Sequence, residues 1–204
     1  LEEAKKSATM MVQNMTNKDR ISIVTYDDFA DVIVPSTFCS NKEFIIGAIN
    51  SIRTGGTTNL HEGWLLGAEE VAKYKNNKSI NRVLLLSDGN ANRGLTDINE
   101  ISSQCSGLAD TGITTSTYGL GIQFNEYLMI EMANNGLGQS YYGETAEDLL
   151  DPFKEEFELL QNIVATNIQL KYKSPKFINT KLMNNFRRDD QKYCWFMPDI
   201  AKDG

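Results

Sequence analysis

A short uninterrupted apolar run, Arg82 to Leu86 (RVLLL), ends abruptly in Ser87-Asp88-Gly89. A strand that is apolar at every position is covered on both faces, and the usual setting for that is a parallel sheet between helices. The surrounding chain fits this setting. Leu1, Ala4, Ala8, Met11, Val12 and Met15 recur at helical steps, and Asn17 to Asp19 break the pattern. Ile21 to Tyr26 reads as a buried strand, and Asp31 to Val34 as a short partner strand stopped by Pro35. Ser40 or Asn41 can cap a helix with Phe44, Ile45, Ala48, Ile49 and Ile52 on one face.

A Gly-rich turn from Thr54 to Asn59 (TGGTTN) opens the next helix, which carries Leu60, Trp64, Leu65, Ala68, Val71 and Ala72 inward. Ile98, Ile101, Cys105, Leu108 and Ala109 mark a further helix, ended by Gly112. Ile113 to Tyr118 is a strand running into Gly119-Leu120-Gly121. A helix over Asn125 to Ala133 closes at Asn135-Gly136, Gln139 to Tyr142 forms a last strand, and Thr145 to Asn162 a last helix facing in through Leu149, Leu150, Phe153, Phe157 and Leu160. Alternating strands and helices with short connections imply a doubly wound, mostly parallel α/β sheet with helices on both faces. Ligands of such sheets sit beyond the carboxyl ends of the strands, where the turns at Thr54–Asn59, Ser87–Gly94 and Gly119–Gly121 collect.

The composition narrows the partner. A net charge of −7 argues against nucleic acid or an anionic membrane, and no apolar run reaches bilayer length. Residues 165–204 carry eight Lys/Arg against four Asp/Glu, so the first 164 residues hold a net −11. Thr166 to Tyr172 and Tyr193 to Met197 read as strands. The chain divides on this reading into an α/β domain over 1–164 and the opening of a β-rich domain over 165–204. Cys39, Cys105 and Cys194 have no zinc spacing, and Cys105 reads as a buried thiol.

Thr57 and Thr58 lie in the Gly-rich turn, and Asp88 ends the apolar strand. A hydroxyl from one loop and a carboxylate from another suit a hard divalent cation, which takes oxygen ligands. Each turn by itself is also an ordinary helix start or strand end. In order and context, however, TGGTTNLHEG (Thr54 to Gly63) and RVLLLSDGNANRGLTD (Arg82 to Asp97) resemble the von Willebrand factor type A family. DRISIVTYDD (Asp19 to Asp28) and GITTSTYGLGIQFNEYLMIEMANNGLGQSYY (Gly112 to Tyr142) extend the likeness.

The resemblance implies a Rossmann-like binding module rather than an enzyme. It also implies a metal-ion-dependent adhesion site with Thr58 and Asp88 as ligands to Mg²⁺, or to Mn²⁺ or Ca²⁺. A protein partner would dock around Thr58, Asp88 and Asn90 to Arg93, supplying an acidic side chain to the ion. The family's Asp-x-Ser-x-Ser motif occurs nowhere in residues 1–204. The expectation is therefore a chain cut before the strand that carries it. Such a chain has a partial site that binds the ion weakly or not at all, and two strands that lose their inner partner. Two other readings are a metal-independent assembly module and a nucleotide-binding enzyme.

The remaining polar features read as structure. His61, the one histidine, makes no Gly-x-Ser-x-Gly hydrolase with Ser87 and Asp88. Gly119-Leu-Gly lacks the third glycine of a dinucleotide fingerprint. Asp27-Asp28 and Asp189-Asp190 read as solvated surface, and Tyr141-Tyr142 and Trp64 as core or rim.

Overall fold

A computed structural model describes the whole chain except residues 54, 77, 146, 174, 176–181, 184, 185, 190–193, 198, 203 and 204, and the side chain of residue 3. The six helices are α1 (Glu2–Asn14), α2 (Lys42–Ser51), α3 (Leu60–Ala72), α4 (Ile98–Asp110), α5 (Glu126–Asn135) and α6 (Leu150–Asn162). The strands of the first part are β1 (Arg20–Tyr26), β2 (Ala30–Phe38), β3 (Arg82–Ser87), β4 (Thr114–Leu120) and β5 (Leu137–Gly143). β3, β4 and β5 form a parallel sheet in that order, while β1 and β2 pair antiparallel. The architecture is the mixed, Rossmann-like α/β fold expected, with helices on both faces.

β3 shows why its sequence is apolar throughout. Val83 and Leu85 point into a core built with Leu60, Trp64 and Ala68 of α3, Ile101 and Cys105 of α4, and Leu128, Met129 and Met132 of α5. Leu84 and Leu86 point the other way, to Met10 and Met11 of α1, Tyr118 of β4, and Leu149 and Phe153. Each face thus buries every second residue against a different helical layer. A third cluster joins Val12 of α1 to Val34 and to Ile45 and Ile49 of α2. Cys105 is fully buried, and burial pushes its thiol up to about 12, so it packs as a small apolar group.

Several boundaries differ from the sequence reading. β2 does not stop at Pro35 but runs on to Phe38. Among the described residues its sheet has two strands, so β2 has a free edge, and the register shifts beside Pro35, which has no paired residue there, so the missing N–H costs no ladder bond. Ser36 N–H, next in line, donates instead to the buried Glu70 carboxylate of α3 at 2.8 Å. The last helix is broken: Glu147–Leu149 is a 3-10 turn and α6 begins at Leu150. Its inward face includes the fully buried Glu156, which the apolar pattern did not list. At the end of α5, Gly136 keeps φ at −79° and Leu137 takes the left-handed conformation at φ 56°.

Among the described residues β1 pairs with no strand but β2, and β3 with no strand but β4. One side chain spans from β1 to β3. The Tyr26 hydroxyl donates to the Leu86 carbonyl at 2.5 Å. Its ring lies along α3 at Gly63, where a Cβ would stand 2.5 Å from it. Burial, and then the negative charge of Asp88, hold this hydroxyl well above the ordinary tyrosine range, so it stays a donor. Replacing Tyr26 with phenylalanine is expected to cost about 1 kcal/mol by leaving the Leu86 carbonyl without its donor. Denaturant titration of the two proteins measures that difference.

The C-terminal strands are β6 (Ile163–Ala165), β7 (Ile168–Lys171), β8 (Arg188–Asp189), β9 (Cys194–Met197) and β10 (Ile200–Ala201). β7, β9 and β8 form one antiparallel sheet, and β10 returns to pair with β6. Two arginines fasten this part to the helices and sheet. Arg187 reaches Asp110 at 2.6 Å and the Ser106 carbonyl at 3.0 Å. Arg82, only 4% exposed, bonds Glu156 at 2.6 Å and Asp199 at 2.8 Å. Residues 190 and 193, named in the sequence reading, fall outside the described residues. No described helix is long and apolar enough to cross a membrane.

Candidate binding site

Two turns carry the expected ligands, and they meet. Thr58 ends the loop that leads into α3, and Asp88 follows the last residue of β3. A Cβ built on Gly89 would lie 3.3 Å from the Thr58 hydroxyl oxygen, so that hydroxyl sits against the residue next to Asp88. Asn92 holds the turns together: its side-chain oxygen accepts from Thr58 N–H at 2.9 Å, and its own N–H donates to the Thr58 carbonyl at 3.2 Å. Ser87, buried, folds its hydroxyl onto the Gly89 carbonyl at 3.0 Å and fixes the turn after β3. Asp88 is exposed at the rim, while Thr58 is half-buried.

The β1–β2 turn forms a third wall. Asp28, read from sequence as one half of a solvated pair, accepts from the Thr57 hydroxyl and from Thr57 N–H, and it pairs with Arg93 at 3.0 Å. The Thr57 bonds first, and then the Arg93 guanidinium, hold its carboxyl below the ordinary range. Arg93 also lies over the ring of Phe29, 4.9 Å from its centre. Asp27 gives its backbone carbonyl to Asn59 N–H at 2.9 Å, at the start of α3. Three loops are thus laced together through Asn92, Asp28 and Arg93. Thr57, one place before Thr58, is committed to Asp28.

The donors present are of the right kind for a hard cation, an uncharged hydroxyl and a carboxylate at one sheet edge. They are few. Among the described residues no group of three or more His, Cys, Asp or Glu side chains gathers to hold a metal. His61 bonds Gln104 at 2.8 Å, Gly119 is packed under the Phe124 ring, and the Trp64 indole N–H donates to Thr115 at 3.1 Å. Trp64 is core, as its structural reading has it, whereas Gly119 and Leu120, read as part of a turn, are the last residues of β4, and the turn begins at Gly121.

A doubly wound sheet with its polar turns gathered at one end defines a class of α/β domains. The family model described as von Willebrand factor type A domain matches residues 1–155, and the chain belongs to that family. The uncharacterized protein YfbK of Escherichia coli (strain K12) is 31% identical over 164 residues, covering 80% of this chain. The chain spans only 28% of that relative's length. Among solved structures, a von Willebrand factor type A protein from Catenulispora acidiphila superposes with a TM-score of 0.76 at 15% identity, covering 98% of this chain and 50% of its own. Proximal thread matrix protein 1 from the mussel byssus, solved with a zinc-occupied MIDAS motif, gives 0.62 at 22% identity over 78% of this chain and 40% of its own.

Proposed function

We propose that the chain is a protein-binding module whose partner docks where the α3 and β3 loops meet, through a divalent cation held by Thr58 and Asp88. The observation that carries this reading is the approach of the Thr58 hydroxyl to the turn that begins at Asp88. Both groups are oxygen donors, which suits Mg²⁺, Mn²⁺ or Ca²⁺. The cation would serve as an adhesive Lewis acid, completed by an acidic side chain of the partner and by water. The mussel protein's zinc-occupied MIDAS motif, on a similar fold, supports a cation in a domain of this kind. With two protein donors, affinity in this chain is expected to be low, because Mg²⁺ gives up water reluctantly.

A paramagnetic titration tests the reading. Mn²⁺ added to the ¹⁵N-labelled protein is expected to broaden the amide signals of Thr58 and Gly89 first, and Asp88→Ala to remove that selectivity. Broadening centred elsewhere, or unchanged in Asp88→Ala, would sink the cation site. One observation favours a second reading, a metal-independent assembly module. The loops are braced to one another by protein groups alone, through Asn92 and the Asp28–Arg93 pair. Partner binding that survives both EDTA and Asp88→Ala is its signature.

A further inference from the structure

The loop between β4 and α5 presents apolar surface that the fold does not use. Gly121 takes φ at +73° and turns the chain outward, leaving Ile122 85% exposed. Phe124, two residues on, lies half-buried and packed under Gly119, with its ring centre 5.6 Å from that of Tyr142 at the end of β5. Tyr142 is itself exposed, and so is Tyr127 in the first turn of α5. Exposed apolar and aromatic side chains on one loop and the strand end beside it are what a binding surface offers an apolar anchor.

The charge around this patch has one sign. Glu126, Glu144 and Asp148 all act on the Tyr142 hydroxyl, which desolvation first, and then these three charges, hold above its ordinary range. Glu126 and Glu144 are exposed. The wider sequence is as one-sided: between Arg93 and Lys154 lie sixty residues with nine Asp or Glu and no Lys or Arg. An apolar centre inside an acidic rim complements an apolar side chain flanked by cations.

We infer that the β4–α5 loop and the end of β5 form a docking surface for a basic segment of a partner protein, with a bulky apolar residue packed against the Phe124–Tyr142 ring pair and the exposed Ile122 loop. The contact needs no cation, so it stands or falls separately from the Thr58–Asp88 site.

The test is fluorescence anisotropy in EDTA with two labelled twelve-residue peptides. One has a central Leu-Phe pair flanked by lysines, and the other carries glutamate at every lysine position. The lysine peptide is expected to bind at least tenfold more tightly, and to weaken as salt rises. Ile122→Asp and the double variant Glu126→Lys/Glu144→Lys are each expected to lower its affinity at least tenfold. All three positions are exposed, and thermal unfolding checks that the variants keep the fold. Equal binding of both peptides, no binding of either, or affinities unmoved by the variants would overturn the inference. So would sedimentation showing that the protein self-associates and that Ile122→Asp makes it monomeric, which would assign the patch to a second copy of the chain.

Discussion

Replacing Arg82 with alanine is expected to cost about 3–5 kcal/mol of unfolding free energy near neutral pH, the usual result of leaving a buried charge without its partner. The guanidinium donates to the Thr114 hydroxyl at 2.8 Å, to Glu156 at 2.6 Å and to Asp199 at 2.8 Å. Glu156 is fully buried, and Ser116 and Tyr141 also donate to it, at 2.7 and 3.0 Å. Without Arg82, two carboxylates face each other with no cation between them. The loss is therefore expected to shrink in acid, where a proton can replace the guanidinium. Asp199 already shows the tendency: burial first, and then the Glu156 charge, hold its carboxyl above the ordinary range despite Arg82. A raised carboxyl favours folding fully below the unfolded value, about 3.9, and that contribution is lost as pH rises through the folded value. Asp199→Asn is expected to flatten this part of the stability–pH curve. Urea titrations at a series of pH values check both variants, and an Arg82→Ala loss that does not change with pH would contradict the account.

The second large effect is expected at Gly138, in β5. A Cβ there would run into the backbone carbonyl of Thr115 on the neighbouring strand β4. No rotamer relieves a clash with main chain, so β4 and β5 must separate. Thr115 is paired with Leu137, and Thr117 with Ser140, across a register shift at this point. Gly138→Val is expected to destabilise by about 3 kcal/mol or more, at or above the upper end of overpacking costs. Gly107→Val, on α4 with no atom within 4 Å of its Cβ position, is the control and is expected to change stability by only a few tenths of a kcal/mol. Thermal and urea denaturation of the two variants decides the matter. Equal loss at both positions would mean that backbone propensity, and not the approach of β4, governs Gly138.

Much of the fold was legible because it rests on period. The alternation of Val83 and Leu85 against Leu84 and Leu86 reports two covered faces directly. The Asn41 cap, which accepts from Phe44 N–H at 3.1 Å, and the Asn125 cap of α5 are local signals that sequence carries plainly. Features that depend on partners far away in the chain were not legible. Arg82 and Asp199 are 117 positions apart, and nothing near either residue announces the other. Glu156 is missing from the inward face read off the sequence because helical period counts apolar residues and cannot see a buried ion pair. At the site, the turns by themselves offer Thr57, Thr58 and Asp88, and the family resemblance is what singles out Thr58 and Asp88. Asn92, which joins those turns, has no distinguishing pattern in its loop. The run past Pro35 was missed because a proline stops a central strand but not an outer one.

β3 has Arg82 at its first residue and Asp88 immediately after its last. Seven residues in extended form make a stiff rod of about 20 Å between the two. Part of any tension on the C-terminal strands would enter through Asp199 at the foot of this rod, the rest through Arg187 into α4, while a docked partner would pull at its tip. The same backbone would carry both loads along its length, so a pull between such a partner and the C-terminal strands would act on the β3–β4 ladder in shear instead of peeling it one bond at a time.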